Sequence, residues 1–380
     1  MKKRLLKILI LSTVVIVLSA LLFGCKSNEN PPSDENKPEI KASVNEALMV
    51  TGESFYLDYT VTDQKNDEKN EYKIEYTVEG DSVTVDENGV VKAQKTGDSK
   101  ITLKIKDTDQ TAECKVTVAD VIVDSKSTAE VSARTDKENK FATKVDYTVT
   151  QKGYGGTKGE TLFDSLSSAV AKAKDNAFIV VCAGDYNENV TITKSLAIRG
   201  INKPVFKEIN LSSGVSVTLE NLCLSDKTYP GGTSARVYVQ EGASLVMSDC
   251  VLTTDSTEEL TGGYGVFAKK QVKKIELENN TFSNFRYGVY VCPTDGEIKI
   301  TENKLSNMNV GIGIDIRQEN SSENYPTKGE IKSNQYNEIE AKTSFLHHGD
   351  NYSGDFDFAD NELENASKDE GQTGGSGLTE

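Results

Sequence analysis

The chain of 380 residues contains no tryptophan, 7 prolines, 4 methionines and only 2 histidines. The two histidines are adjacent, His347-His348, and the 6 cysteines are scattered, so residue supply excludes a Cys/His zinc module. Any catalysis has to rest on carboxylates, Lys, Arg or Tyr. Clusters of Lys and Arg are also missing, and the formal net charge is −16. Residues 1–24 hold four bases (Lys2, Lys3, Arg4 and Lys7) and no acid, so the rest of the chain carries 39 bases against 59 acids, a net −20. Such a surface repels phosphate backbones, and nucleic acid is not an expected partner. What the chain has in quantity is Gly, 29 residues, and enough length for two or three domains.

A long apolar run occurs once, from Leu5 to Leu22, behind the charged start Met1-Lys2-Lys3-Arg4. With the small-residue end before Cys25 it reads as a secretory signal. The ending Leu22-Phe23-Gly24-Cys25 resembles the lipobox of bacterial lipoproteins, whose cysteine is acylated after cleavage. The resemblance implies lipidation at Cys25 and a protein held on the extracytoplasmic face of a cell membrane. Residues 25–38 are polar and Pro-bearing, as expected of a disordered tether behind a lipid anchor. The other reading of this end is an uncleaved membrane helix. The remaining cysteines, Cys114, Cys182, Cys223, Cys250 and Cys292, are odd in number and irregular in spacing, and are read as packing residues.

Residues 39–120 show short alternating runs such as Tyr72–Val78, Ser99–Ile105 and Ala112–Val118, the period of strands in a small antiparallel sandwich. Asn88-Gly89 sits between Val83–Val85 and Val90–Val91, where a tight hairpin turn needs positive φ. The stretch from Val83 to Ala93, followed by Gly97 and the run Ser99–Thr102, resembles the bacterial Ig-like domain family, group 2. That resemblance implies a spacer or adhesion module and supplies no catalytic residues.

Residues 121–145 are weakly patterned and are read as a linker or an edge strand. From Thr161 to about Lys174, Leu162, Leu166, Ala169, Val170 and Ala173 share a helical face. An imperfect repeat follows. One column of its six copies reads Leu219, Met247, Leu277, Ile300, Ile331, Phe358; a second reads Leu222, Cys250, Asn280, Asn303, Asn334, Asn361; a third reads Leu224, Leu252, Phe282, Leu305, Tyr336, Leu363. The second column recurs at intervals of 28, 30, 23, 31 and 27 residues. Fixed strands with variable loops are the mark of a solenoid. These coils, with the apolar run at Phe178–Ala183, the Gly184-Asp185-Tyr186 turn and Glu188-Asn189-Val190, resemble right-handed parallel β-helices of the pectate-lyase-like superfamily. The expected molecule is therefore all-β: a small Ig-like β-sandwich over 39–120, a right-handed parallel β-helix over 146–366 with an N-terminal capping helix, and a disordered tail over 367–380. The column asparagines are read as an internal amide ladder.

A second strand set, Arg236–Gln240, Gly265–Lys269, Gly288–Val291 and Gly311–Arg317, alternates in the same way. Its valines and isoleucines are expected inside, and Arg236, Tyr238, Phe267, Lys269, Tyr290, Asp315 and Arg317 outside. Tyr238, Phe267 and Tyr290 would form an exposed aromatic column, with Tyr229 and Tyr264 brought to it by the longest connecting loops. Aromatic faces stack on sugar rings while flanking polar groups bond hydroxyls, so Tyr238, Phe267, Tyr290, Tyr229, Tyr264 and Arg236 are the candidate ligand-binding residues and a polysaccharide or other cell-surface ligand the candidate partner. The same stack also serves simply to hold strands together. The catalytic motifs of pectate lyases, hydrolases and pectin methylesterases are not found. Asp315, Arg317 and Lys269 are the only catalytic candidates, for a divergent polysaccharide lyase, hydrolase or esterase, and a surface ion pair is the favoured reading of the first two. No cofactor is required; Asp255, Glu258 and Glu259 are the candidate Ca²⁺ ligands, if any.

Overall fold

The computed structural model describes residues 37–62, 72–126, 133–134, 145–146, 155–226, 235–254, 263–315, 328–347, 355–357, 362–363 and 370–373. Cys25, the apolar run before it and the tether lie outside these residues. Among the described residues no helix is long and apolar enough to cross a membrane.

The fold is all-β. Its first unit packs a four-stranded sheet, ordered Glu46–Val50, Thr111–Ala119, Gly97–Ile105, Ile74–Gly80, against a three-stranded sheet of Ser54–Tyr56, Val90–Ala93 and Val83–Val85. Phe55, Leu57, Val91, Ile101, Leu103, Cys114 and Val118 fill the space between them. Cys114 is a core residue, its thiol pushed up to about 12 by burial. The hairpin turn expected at Asn88-Gly89 is longer than two residues. Asp86 Oδ1 accepts from the backbone N–H of Asn88 and Val90 at 2.9 and 3.0 Å, and of the two residues only Gly89 takes a positive φ, 82°. A β-carbon at Gly89 would come within 2.7 Å of Tyr76 Oη.

The second unit is a stack of parallel coils. One face is a ten-stranded parallel sheet that begins Leu162–Phe163, Val121–Val123, Ala177–Val181, Leu196–Gly200 and continues coil by coil to Asp355–Asp357. The linker reading therefore changes at its first residues: Val121–Val123 is an internal strand of the solenoid sheet. At the other end, Glu370–Thr373, read as part of a disordered tail, pairs in parallel with the strand Gln335–His347. The helix is shorter than expected, Leu166–Lys172, because Leu162-Phe163 is drawn into the sheet beside Ile122-Val123. Ser165 caps it through Ser168 N–H, and the Glu188 carboxylate accepts from Leu166 and Ser167 N–H, satisfying donors that a helix start leaves open.

The repeat columns are in register. Leu219, Met247, Leu277, Ile300 and Ile331 pair successively, as do Leu224, Leu252, Phe282, Leu305, Tyr336 and Leu363. Phe358 and Asn361 lie outside the described residues. The turn before each column position is made by a left-handed residue: Asn221, Asp249, Asn279, Glu302 and Ser333 have φ of 55, 55, 53, 59 and 54°. The second sheet changes along the stack. In early coils it consists of separate short arms, Cys223–Asp226 and Ala235–Val239, then Val251–Thr254 and Tyr264–Ala268. In later coils the arms fuse into single strands, Thr281–Val291, Lys304–Asp315 and Gln335–His347. The fused strands bend at Asn284, Asn307 and Glu338, with φ of 66, 50 and 51°, where the earlier coils carry long insertions.

Candidate functional site

The asparagine column is internal. Asn280, Asn303 and Asn334 are fully buried. Asn280 Nδ2 donates to Asn303 Oδ1 and Asn303 Nδ2 to Asn334 Oδ1, both at 3.0 Å. Each Oδ1 also accepts a backbone N–H of the preceding coil, from Cys250, Asn280 and Asn303 at 2.9, 2.9 and 3.0 Å. Every amide is spent on the fold, as in stacked Asn ladders elsewhere. Cys250 continues the column at lower polarity: Leu222 N–H donates to its sulfur at 3.4 Å, and burial pushes its thiol up to about 12.

The outer aromatic column exists, but it is less open than alternation predicts. Tyr238, Phe267 and Tyr290 stack in consecutive coils, with centroids 5.2 and 5.6 Å apart and planes within 17 and 12°. A second column, Tyr264 on Tyr287 at 5.4 Å, meets the first edge to face: Tyr264 against Phe267 at 4.9 Å and 69°, Tyr287 against Tyr290 at 5.2 Å and 82°. Offset-stacked and edge-to-face pairs of this kind contribute about 0.5–1.5 kcal/mol each beyond burial. Tyr290 and Tyr264 are only 4 and 2% exposed. Both were expected to present themselves to solvent; instead each is covered by its neighbours. Burial raises the Tyr264 hydroxyl pKa above its ordinary value.

Arg236 is a clear correction. Expected beside Tyr238 on the outside, it is 1% exposed, and its Nε donates to Thr253 O at 3.1 Å. The reason is a corner that breaks the two-residue period. Arg236 falls in register with Gly265, between the pairs Ala235↔Tyr264 and Val237↔Val266. A β-carbon at Gly265 would point at the core rings Phe282 (2.8 Å) and Phe285 (3.3 Å), so this position faces inward although its inward neighbour Val266 does too. Two successive inward residues throw Tyr264 and Tyr287 out. The repeated Gly265-Val266, Gly288-Val289 and Gly311-Ile312 dipeptides carry that corner in the sequence, and Tyr287 with Arg286 were missed because it went unread.

The column has two ends. At one, Gly313 pairs with Tyr290, and a β-carbon there would lie 2.9 Å from Tyr290 Cδ2 and 3.1 Å from Tyr287 Cδ1, so the rings lie across bare backbone. Asp315 follows, 9% exposed, with its Oδ2 3.4 Å from Tyr290 Oη. At the other end the register partner of Tyr238 one coil back is Asn210. Tyr238 is therefore the terminal ring, half-buried, and among the described residues no second ring stacks on it. Lys269 Nζ lies 5.9 Å from its centroid, and the Arg286 guanidinium lies 5.5 Å from that of Tyr287.

Tyr229, Asp255, Glu258, Glu259, Arg317 and His348 lie outside the described residues, as does the side chain of His347. Asp315 and Lys269 are thus the catalytic candidates that can be placed. Lys269 and Asp315 fall in one register column two coils apart, in line with Cys292 between them; the Lys269 ammonium lies over Tyr238 and the Asp315 carboxylate reaches Tyr290. Among the described residues no three His, Cys, Asp or Glu side chains are grouped to hold a metal ion. No family model matches the chain, and no curated protein matches it.

Proposed function

We propose that the protein is an extracytoplasmic surface protein, lipidated at Cys25, whose β-helix binds polysaccharide at the Tyr238 end of the aromatic column. On this reading the first unit is a bacterial Ig-like module of group 2, standing between the lipid and a right-handed helix of the pectate-lyase-like kind. The observation that carries the binding site is the terminal position of Tyr238. Phe267 is stacked by rings on both faces and Tyr290 has Gly313 against its second face, whereas among the described residues no second ring covers Tyr238, and Lys269 Nζ lies 5.9 Å from its centroid. That pairing of a flat apolar face with a donor suits a sugar ring and its hydroxyls. The acidity of the chain as a whole favours a neutral glycan over an anionic one.

A glycan array followed by titration calorimetry on the best ligand tests the reading. Tyr238→Ala should weaken binding by about tenfold or more, the loss of roughly 1.4 kcal/mol of stacking. Tyr290→Phe, buried in the stack, should bind as the parent does. Equal affinity of Tyr238→Ala and parent, with unchanged melting temperatures, would remove the site. Release of shortened or unsaturated sugars, abolished by Asp315→Asn, would instead favour the enzymatic alternative.

A further inference from the structure

The first unit and the solenoid do not meet through a linker. The chain passes from the sandwich strand Thr111–Ala119 to the solenoid strand Val121–Val123 across one residue, Asp120. That residue is held at both ends: its N–H donates to Phe178 O at 2.9 Å and its Oδ2 accepts Phe178 N–H at 2.8 Å. A second crossing lies at Gly155 and Gly156, whose N–H groups donate to Leu48 O at 2.8 Å and Glu53 Oε1 at 2.7 Å.

The strands flanking these crossings are apolar on both faces. In Glu46–Val50, Ala47 and Met49 enter the sandwich core, while Leu48 and Val50 turn the other way. In the solenoid, Val121, Val123, Phe163, Ile179 and Val181 enter the coil core, while Ile122, Leu162 and Val180 face out. The outward sets meet each other. Leu48, Val50 and Ala119 from one unit and Ile122, Leu162 and Val180 from the other form a separate buried cluster, 0 to 6% exposed, with Phe178, Cys182 and Ile201 around it. A sheet face left to solvent alternates with polar residues, and the later solenoid strands do so, as in Ile275-Glu276-Leu277-Glu278. The strands at the junction abandon that pattern. A polar clamp closes the rim: Arg199 Nη1 donates to Asp98 Oδ2 across the junction at 2.7 Å, its Nε donates to Glu220 Oε2 at 2.8 Å, and its guanidinium lies 5.1 Å from the centroid of the Phe178 ring.

We infer that the two units are one mechanical body with a dedicated junction core, so that the sandwich is a fixed-angle stand-off and not a swivelling spacer. Linked domains move relative to each other unless the surface between them is extensive and apolar, and two chain crossings clamped over a third core meet that condition. The inference stands whatever the solenoid binds. Its consequence is geometric: the Tyr238 face keeps a set direction relative to the sandwich.

Hydrogen–deuterium exchange on the full chain from residue 26 provides the test, read on peptides covering 117–124 and 155–163. Both should exchange as slowly as the peptides of Gly97–Ile105 and Ser216–Glu220. Exchange there at loop rates, with both cores protected, would mean a hinge and overturn the inference. Leu48→Asp should raise junction exchange at least tenfold and widen the pair-distance distribution in small-angle X-ray scattering, with Ile101 and Leu219 peptides unchanged. Should that variant fail to fold, Arg199→Ala carries the comparison, with faster junction exchange expected and no change counting against the coupling.

Discussion

Asn303 carries more of the fold than its size suggests. Its two Nδ2 hydrogens are shared among Asn334 Oδ1, Leu277 O and Thr301 O, and its Oδ1 accepts from Asn280 N–H and Asn280 Nδ2, all between 2.9 and 3.0 Å. Truncation leaves several buried partners unpaired, and each such group costs about 1–3 kcal/mol. Asn303→Ala should therefore lower unfolding free energy by about 3 kcal/mol or more, measured as a fall in urea midpoint at constant slope. Cys250→Ala, in the same column but with weaker sulfur contacts, should cost clearly less. This ladder was legible in the sequence because Asn recurs at one position of consecutive coils, Asn280, Asn303 and Asn334, beside apolar columns. Arg236 was not: alternation assigns it outward, and the corner at the Gly265 register, which reverses it, depends on the path of neighbouring coils.

At the scale of the element, the exposed face of the first solenoid sheet carries charge pairs both along and between strands. Glu276 accepts from Lys274 at 2.7 Å and Lys299 at 3.1 Å, and Lys332 pairs with Glu330 at 2.7 Å. Hydrogen bonds from both lysines hold the Glu276 carboxyl below its ordinary value. A depressed folded pKa means that the stabilisation is present above the unfolded value of 4.5 and is lost as pH falls through the folded pKa. Glu276→Gln should thus be less stable than the parent by about 0.5 kcal/mol at pH 7, with the gap closing below pH 4 in thermal melts. The extra strands at 121–123 and 370–373 escaped sequence reading for a different reason. Strands of three or four residues lack the length for periodicity to register, and their pairing partners lie far along the chain.

For the molecule as a whole, the coils and the sandwich stand without covalent staples among the described residues. Cys114, Cys182, Cys223, Cys250 and Cys292 form no disulfide bond, and burial pushes the thiols of Cys114, Cys182 and Cys250 up to about 12, away from the reactive thiolate. Millimolar reductant should leave the thermal midpoint unmoved; a fall of several degrees would reveal a disulfide that this packing does not contain. Stability instead comes from stacking, coil on coil, and at the lower end from the junction that joins the stack to the sandwich.

The amino-acid sequence alone determined the solenoid, the register of its coils and the ladder within it. Those features rest on residue type repeated at matched positions, and a repeat states the same local rule in each copy. Only the tertiary structure decided which way the corner residues face, which aromatic ring is left with a free side and how the two units are joined. Each of these depends on surfaces contributed by segments distant in the chain: Phe282 and Phe285 beneath Gly265, Asn210 one coil before Tyr238, and Leu48 against Ile122. The abundance of Gly and absence of Trp suit closely packed coils, but the identity of the ring that ends the column is a property of the stack.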